Sequence, residues 1–259
     1  MNTPQRVWLT GASSGLGAQL AEQLLRQGVH LAVSARSVGP LLELEKRFPG
    51  QVLLAPGDLT DAEQVRTIGE RIRDHWGALD QVILNAGTCE YIDVQRFEAA
   101  MIERVTQSNL FASAYCIEAA LPLLRKGNQP HLVGVASAVT FLPLTRSEAY
   151  GASKAAVRYL FQSLQVDLKG EGIDVTVVSP GFVKTPLTDR NDFAMPMLWS
   201  AEKAAAYIAK RLPKRPMEIA FPGLFINALR AIACLPRRLS LHLTQRMVRD
   251  NNSRDSEQA

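Results

Sequence analysis

The feature that most constrains this chain is its first thirty residues. Val7-Trp8-Leu9-Thr10 is a short apolar run that passes through Gly11-Ala12-Ser13-Ser14-Gly15-Leu16-Gly17 into a helical pattern carried by Leu20, Leu24 and Leu25 and closed by Gly28. A strand, a glycine-rich turn and a helix in that order direct backbone N–H groups and a helix N-terminus at one point, which suits a phosphate. Gly11 permits the tight turn, Gly15 a close approach of the backbone, and Gly17 close packing of helix on strand. An ordinary strand-to-helix turn uses glycine too, so the phosphate reading rests on the flanking strand and helix as much as on the spacing.

The unit then recurs. Val29–Ala35 reads as a second strand, Leu41–Phe48 as a helix, and Gln51–Ala55 as a third strand ending at Gly57-Asp58-Leu59. Thr60 suits the N-cap of a helix running to Trp76, and Asp80–Asn85 is a fourth strand ending in Asn85-Ala86-Gly87. The strands are apolar throughout rather than alternating, so both faces of the sheet must be covered. The expected fold is therefore α/β: a single-domain, doubly wound parallel sheet of about seven strands with helices on both faces. A helix is expected over Phe97–Leu124, with Asn109 inside it; asparagine competes for backbone hydrogen bonds, and a kink there would explain its presence. His131–Ala136 is a fifth strand with Ser137 at its C-terminal end, Glu148–Leu168 a long helix, and Ile173–Val178 a sixth strand leading to Ser179-Pro180-Gly181. An irregular segment, Phe182–Trp199, follows; Ser200 caps the next helix, which runs to about Leu212, and Met217–Phe221 is the last strand.

Two stretches carry chemistry. In Tyr150-Gly151-Ala152-Ser153-Lys154 the tyrosine and lysine are four apart, so a helix sets the hydroxyl and the ammonium on one face. A nearby positive charge favours the phenolate, which expects Lys154 to lower the Tyr150 pKa and make it a proton donor and acceptor near neutrality. A surface helix with a half-buried tyrosine and a solvated lysine would show the same spacing. At the end of the second strand stand Ser34-Ala35-Arg36, where dinucleotide folds that take NAD usually carry an acid. Arg36 could hold a 2′-phosphate as a charge-assisted pair, or be a solvated strand-end residue.

Composition narrows the classes. Nearly half the residues are hydrophobic (47%) and 21% are charged, ordinary for a soluble globular protein. Cys89, Cys116 and Cys234 are widely separated with no Cys-x-x-Cys, against a disulfide framework or a metal site and in keeping with a reducing cytosol. Met1–Arg6 is polar, without the apolar core of a signal peptide, so a cytoplasmic location is expected. The net charge of +4 is concentrated: residues 210–249 hold nine basic side chains against Glu218 alone. A local basic section on a neutral body is not a nucleic-acid-binding signature, and no nucleic-acid partner is expected.

Taken together, TGASSGLG at 10–17, NAG at 85–87, Asn109, Ser137, YGASK at 150–154 and PG at 180–181 closely resemble the short-chain dehydrogenase/reductase family and its Rossmann-type fold, over roughly Arg6–Thr188. The resemblance implies a catalytic tetrad of Asn109, Ser137, Tyr150 and Lys154, with Asn109 holding a water that relays protons. It implies that NADP(H) binds along Thr10, Gly11, Ser13, Ser14, Gly15, Leu16 and Gly17, then Arg36, Asp58 and Leu59, then Asn85, Ala86 and Gly87, then Tyr150, Lys154, Pro180, Gly181, Val183 and Thr185. Arg36 resembles the arginine of NADP-preferring members; Ser14 departs from them, since many have a basic residue there. Ser137 and Tyr150 would meet the substrate; Leu187, Phe193 and Trp199 of the irregular segment, with Met195, Met197 and Leu198, suggest an apolar pocket, though core packing explains some of them equally well. The resemblance also implies a homo-oligomer, dimer or tetramer, paired through the two long helices.

The C-terminal section departs from compact members of the family. Phe221–Leu235 is apolar apart from Asn227 and Arg230, and its 15 residues are short of the roughly 20 of a bilayer span. Pro236 breaks it, and Arg237-Arg238 opens a basic amphipathic piece through Val248. The expected layout is a catalytic domain over 1–221, a helical extension over 222–249 and a disordered tail over 250–259. The extension reads as a flap over the substrate pocket, a dimer contact or a membrane-surface segment. The function expected is hydride transfer between a nicotinamide and a carbonyl or secondary alcohol of an apolar small molecule, with Tyr150 as general acid/base. A non-catalytic nucleotide-binding regulator and a peripheral membrane protein with secondary redox activity are the alternatives.

Overall fold

A computed structural model describes residues 4–191, 193 and 195–245. Seven strands form one parallel sheet: β1 (Arg6–Thr10), β2 (His30–Ser34), β3 (Val52–Leu54), β4 (Gln81–Leu84), β5 (His131–Val135), β6 (Asp174–Pro180) and, at the far edge, Glu218–Phe221. A separate short pair, β7 (Val183–Lys184) and β8 (Trp199–Ser200), precedes that edge strand, which is therefore β9. The sheet order is β3-β2-β1-β4-β5-β6-β9. The chain thus builds outward from β1 in one direction and from β4 in the other. The connections that leave their C-terminal ends go to opposite faces of the sheet, and between them lies the crevice in which such sheets bind ligands.

Burial on both faces accounts for the wholly apolar strands. On one face pack α1 (Gly15–Arg26), α2 (Val38–Arg47) and α7 (Ala201–Arg211), burying Leu20, Leu24, Leu41 and Ile208 with Leu9, Val33 and Val133. On the other pack α3 (Ala62–Trp76), α5 (Ala112–Leu124) and α6 (Glu148–Asp167), burying Ile72, Ile117, Leu124 and Phe161 with Trp8, Val82 and Leu132. The N-terminal ends of the central strands are pinned electrostatically. Arg6 pairs with the Asp80 carboxylate at 2.8 Å; burial pulls that carboxyl upward, but the guanidinium and the backbone N–H groups of Arg6 and Asn128 outweigh it and hold it low.

Three local expectations are corrected. The N-cap of α3 is Asp61, whose carboxylate accepts from the N–H groups of Glu63 and Gln64; Thr60 instead bonds back to the Asp58 carboxylate. The helix over Phe97–Leu124 begins at α4 (Ala99–Thr106) and passes through a π-turn, Gln107–Phe111, before α5. That turn centres on Asn109, so the misfit asparagine does mark a backbone irregularity. β6 runs on through Ser179 and Pro180, because β9 pairs with it there.

Beyond β9 come α8 (Gly223–Ala233) and α9 (Arg237–Gln245). α8 buries Ile226 and Leu229 against Ala138 and Leu142, whereas α9 buries nothing. No helix among the described residues is long and apolar enough to cross a membrane. The sequence-expected tail, 250–259, lies outside the described residues.

Candidate active site

The crevice at the switch point is built by hydrogen bonds between two of the motifs. The buried Thr10 Oγ1 accepts from the N–H groups of Asn85 and Ala86 at 3.0 and 3.1 Å, and Asn85 Nδ2 donates to the carbonyls of Thr10 and Gly11 at 3.2 and 3.3 Å. Gly11 turns at φ +68°, open to glycine at no steric cost. A Cβ on Gly17 would lie 2.0 Å from the Gly11 carbonyl oxygen, so the start of α1 sits as close to β1 as its backbone allows. Ser14, the N-cap of α1, makes no side-chain cap bond, which leaves the first-turn N–H groups without a side-chain acceptor.

The resulting cleft has a volume of about 340 Å³. Of the cofactor residues expected from the sequence, all but Thr10 line it; Thr10 lies beneath, tying the two turns together. Gly11, Ser13, Ser14, Gly15, Leu16 and Gly17 border one end, with Arg36, Asp58 and Leu59 beside them. Asn85, Ala86 and Gly87 form the middle, and Tyr150, Lys154, Pro180, Gly181, Val183 and Thr185 the other end. Arg36 is exposed at the rim and makes no ion pair with a described residue. The uncapped helix start and the free guanidinium at one end fit the phosphates of a dinucleotide, and the Lys154 ammonium at the other fits its ribose hydroxyls. Sequence reasoning missed Thr88, Ser108 and Thr188 on the same cleft; each is within three residues of a motif position and carries no pattern of its own.

Tyr150, Ser137 and Lys154 come together at the inner end. The Ser137 hydroxyl stands beside the Tyr150 phenol and accepts from Val139 N–H at 3.3 Å. Lys154 is buried and donates to the Val135 carbonyl at 2.8 Å, with its ammonium 6.0 Å from the Tyr150 ring. The expected lowering of the Tyr150 pKa is corrected. Burial dominates and pushes the phenol upward, the neighbouring Cys89 adds to this, and the Ser137 hydroxyl opposes it without prevailing. Burial also pushes the Lys154 ammonium down to about 8. At neutral pH the pair is therefore a protonated phenol beside a charged lysine, the form that gives a proton away.

Asn109 is committed to protein partners. Its Oδ1 accepts from Thr88 N–H at 2.7 Å, and its two amide hydrogens go to the Thr88 carbonyl and the Ser153 hydroxyl. It ties the Gly87–Thr88 loop to the helix bearing Tyr150, and it has no amide hydrogen left for the water that the resemblance implied.

A second cavity, about 490 Å³, adjoins the first; Ser137, Tyr150, Pro180, Gly181, Leu187 and Thr188 border both. Its walls are mostly apolar, with Val139, Leu144, Phe182, Phe193, Phe225 and Leu229. Leu187 and Phe193 thus stand where expected. Trp199 does not: its ring stacks on Phe221 at 5.0 Å and meets Tyr207 edge-on at 5.2 Å, part of the core under α7. Met197 and Leu198 are exposed, while Met195 bonds Asn191 through its sulfur. Cys89 and Tyr91 line the cavity too, and neither is marked in the sequence. Burial pushes the Cys89 thiol up to about 11, so it is no nucleophile at neutral pH. Phe225 and Leu229, both from α8, form part of its wall.

Comparison with known proteins agrees with this geometry. The short chain dehydrogenase family model matches residues 5–194. An uncharacterized oxidoreductase of Myxococcus xanthus is 35% identical over 235 residues, 89% of this chain and 92% of that one. A short-chain dehydrogenase from Streptomyces avermitilis superposes with a TM-score of 0.81 at 23% identity, covering 94% of this chain and 96% of that one. The RhlG/NADP active-site complex of Pseudomonas aeruginosa superposes with a TM-score of 0.78 at 26% identity, covering 86% and 96%.

Proposed function

This chain belongs to the short-chain dehydrogenase family, whose fold binds a nicotinamide cofactor, and on that premise we propose that it is an NADP(H)-dependent carbonyl reductase or alcohol dehydrogenase acting on a bulky apolar small molecule. The observation that carries the reading is the seam between the two cavities. Ser137 and Tyr150 stand together where the nucleotide-shaped cleft meets the apolar one.

The residues divide the work as follows. A reduced nicotinamide bound in the cleft would supply a hydride to the carbonyl carbon. Ser137 donates a hydrogen bond to the carbonyl oxygen as negative charge grows there. Tyr150 gives that oxygen its proton, and in the reverse direction takes it from the alcohol. Lys154 binds the nicotinamide ribose, and its charge grows more important to Tyr150 once a proton has left. Asn109 acts by position: it fixes Gly87, whose backbone lies against both the Asn109 amide and the Lys154 ammonium. Apolar walls bury the rest of the substrate and exclude water. A non-catalytic nucleotide-binding role gives no reason for a serine–tyrosine–lysine cluster opening onto a second cavity.

Arg36, with no carboxylate at the end of β2, supports NADP(H) over NAD(H), and the likeness to an NADP complex points the same way. The helical extension divides in this reading: α8 is a wall of the substrate cavity, and α9 faces outward. On α9 Leu239 and Leu243 stand four residues apart and exposed beside Arg238 and His242, with exposed Leu235 just before the helix, a surface suited to an anionic lipid headgroup layer on the cytoplasmic side. Pairing of two copies is assigned to the long helices, where Phe111, Tyr159 and Val166 stand exposed. A panel of ketones, aldehydes and alcohols, screened with NADPH, NADH and their oxidised forms, tests the activity. Turnover of bulky apolar carbonyls with NADPH is expected; absence of any cofactor turnover across the panel would leave the regulatory reading.

A further inference from the structure

Four side chains just outside the substrate cavity form one closed group. Glu218, on the edge strand β9, receives Arg158 of α6 on Oε1 and Arg230 of α8 on Oε2, each at 2.5 Å. Ser179, at the end of β6, donates to the same Oε1 at 3.0 Å. The two guanidiniums also stack on Phe141, each with its central carbon 4.6 Å from the ring centroid. Phe141 ends the short turn that starts at Ser137. Burial draws the Glu218 carboxyl upward, yet Arg158, Ser179 and Arg230 together hold it below the usual carboxylate range.

The group joins elements that matter separately to the site. α6 carries Tyr150 and Lys154, the Phe141 turn follows Ser137, and α8 supplies Phe225 and Leu229 to the cavity wall. None of the four clustered side chains lines either cavity. α8 otherwise leans on a small apolar cluster of Ala138, Leu142, Ile226 and Leu229, less than either main core layer provides. Its distance from the catalytic helix therefore depends on what else holds it. We propose that Glu218, bridging Arg158 and Arg230, is a clamp that sets the width of the substrate cavity, making Arg230 and Glu218 positioning residues for bulky substrates.

This rests on the reading that the second cavity holds the substrate. A bulky ketone needs the α8 wall for its apolar burial, whereas a small one seated at Ser137 and Tyr150 does not reach it. Opening the clamp should then weaken bulky substrates selectively. Arg230 is about half exposed (45%), so solvent screening limits the effect: an ion pair worth up to about 1 kcal/mol corresponds to about a fivefold change.

The test uses the full-length chain with NADPH, 2-decalone as bulky ketone and cyclohexanone as small one, and the variants Arg230→Met, Arg230→Lys, Glu218→Gln and the Arg230→Met/Glu218→Gln pair. Expected is an approximately fivefold higher KM for 2-decalone in Arg230→Met and Glu218→Gln, with kcat, the cyclohexanone KM and NADPH affinity unchanged. Arg230→Lys should recover part of the loss, and the double variant should be no worse than Glu218→Gln alone. Acidification protonates Glu218, so the wild-type 2-decalone KM should rise below the ordinary carboxylate range while Glu218→Gln stays flat. Equal KM changes for both ketones, a fall in kcat or NADPH affinity, or no change in KM would overturn the clamp. If the wild type reduces neither ketone, the proposed activity fails and the clamp is judged by binding of the neutral dye Nile red to the cavity. Weaker binding in both single variants then supports it, and equal binding overturns it.

Discussion

Gly17→Ala adds a methyl group where the start of α1 lies hard against the Gly11 turn. The added Cβ would meet the Gly11 carbonyl oxygen at 2.0 Å and Asn85 Nδ2 at 2.5 Å. A carbon–oxygen contact settles at about 3.3–3.6 Å, so the start of α1 or the Gly11 turn must move by more than about 1 Å. Both are backbone, and neither can swing aside as a flexible side chain would. Overpacking of this kind costs about 1–3 kcal/mol, which for a chain of this size lowers Tm by roughly 2–10 °C. The displaced groups are also the first-turn N–H donors facing the cleft. Losing one charged hydrogen bond of about 1.5–3 kcal/mol weakens NADPH binding about ten- to hundredfold. Gly170→Ala is the control, because nothing lies within 4 Å of its added Cβ and its φ is not positive. It should be neutral or stabilising by up to about 1 kcal/mol. Thermal melts and NADPH titrations on both variants decide the matter. A Gly17→Ala protein as stable as wild type, binding NADPH as tightly, would refute the close-packing account of the turn.

Other outcomes follow from the same structure. Wild type should prefer NADPH to NADH by about tenfold, and Ala35→Asp with Arg36→Ala should reverse this, since it deletes the attracting charge and adds a repelling one; equal dissociation constants in the wild type would leave Arg36 a solvated residue. Lys154 titrates near 8 in the folded chain against 10.5 when unfolded, so its own contribution to the stability of the cofactor-free protein should rise as pH climbs from 8 to 10.5, read as the difference between wild type and Lys154→Met because the buried Cys89 and Cys116 thiols, pushed up to about 11 and about 12, pull the other way above pH 9. Lys154→Met should abolish that rise in denaturant titrations and weaken cofactor binding at neutral pH. Tyr159→Asp, at a site 76% exposed, should shift sedimentation toward monomer without lowering Tm, and a wild-type chain already monomeric at micromolar concentration would remove the helix-face pairing. Full-length protein should co-sediment with anionic vesicles at low salt and less at high salt, and Leu239→Asp with Leu243→Asp should abolish this; salt-independent or absent binding would contradict the lipid surface.

The nucleotide half of the site was legible because its requirements are local. Turn glycines, an uncapped helix start and Asn85 each answer to backbone geometry within a few residues, and sequence order carries that. Asn109 announced itself as a misfit in a helix and proved to sit in a π-turn. The substrate half was not legible in the same way. Trp199 has the composition of a pocket residue, but β8 pairs with β7 and turns its ring onto Phe221 and Tyr207. Phe225 and Leu229 look like ordinary core positions of an amphipathic helix until the fold brings α8 over the end of β6. The Tyr150 pKa went the other way for a related reason. Four-residue spacing puts Lys154 on the same face, but only the fold decides that its ammonium turns to Val135 and that burial outweighs charge.

In the proposed reaction Tyr150 is the proton donor at a seam between a cofactor cleft and an apolar cavity. The most direct test is single-turnover oxidation of bound NADPH by a ketone, followed at the nicotinamide absorbance in wild type and Tyr150→Phe, with cofactor affinity measured separately. Tyr150→Phe should leave NADPH binding unchanged and lower the rate by about 10² or more, the scale of a lost general acid. A Tyr150→Phe protein that keeps more than about a tenth of the wild-type rate, with chemistry rate-limiting, would contradict it.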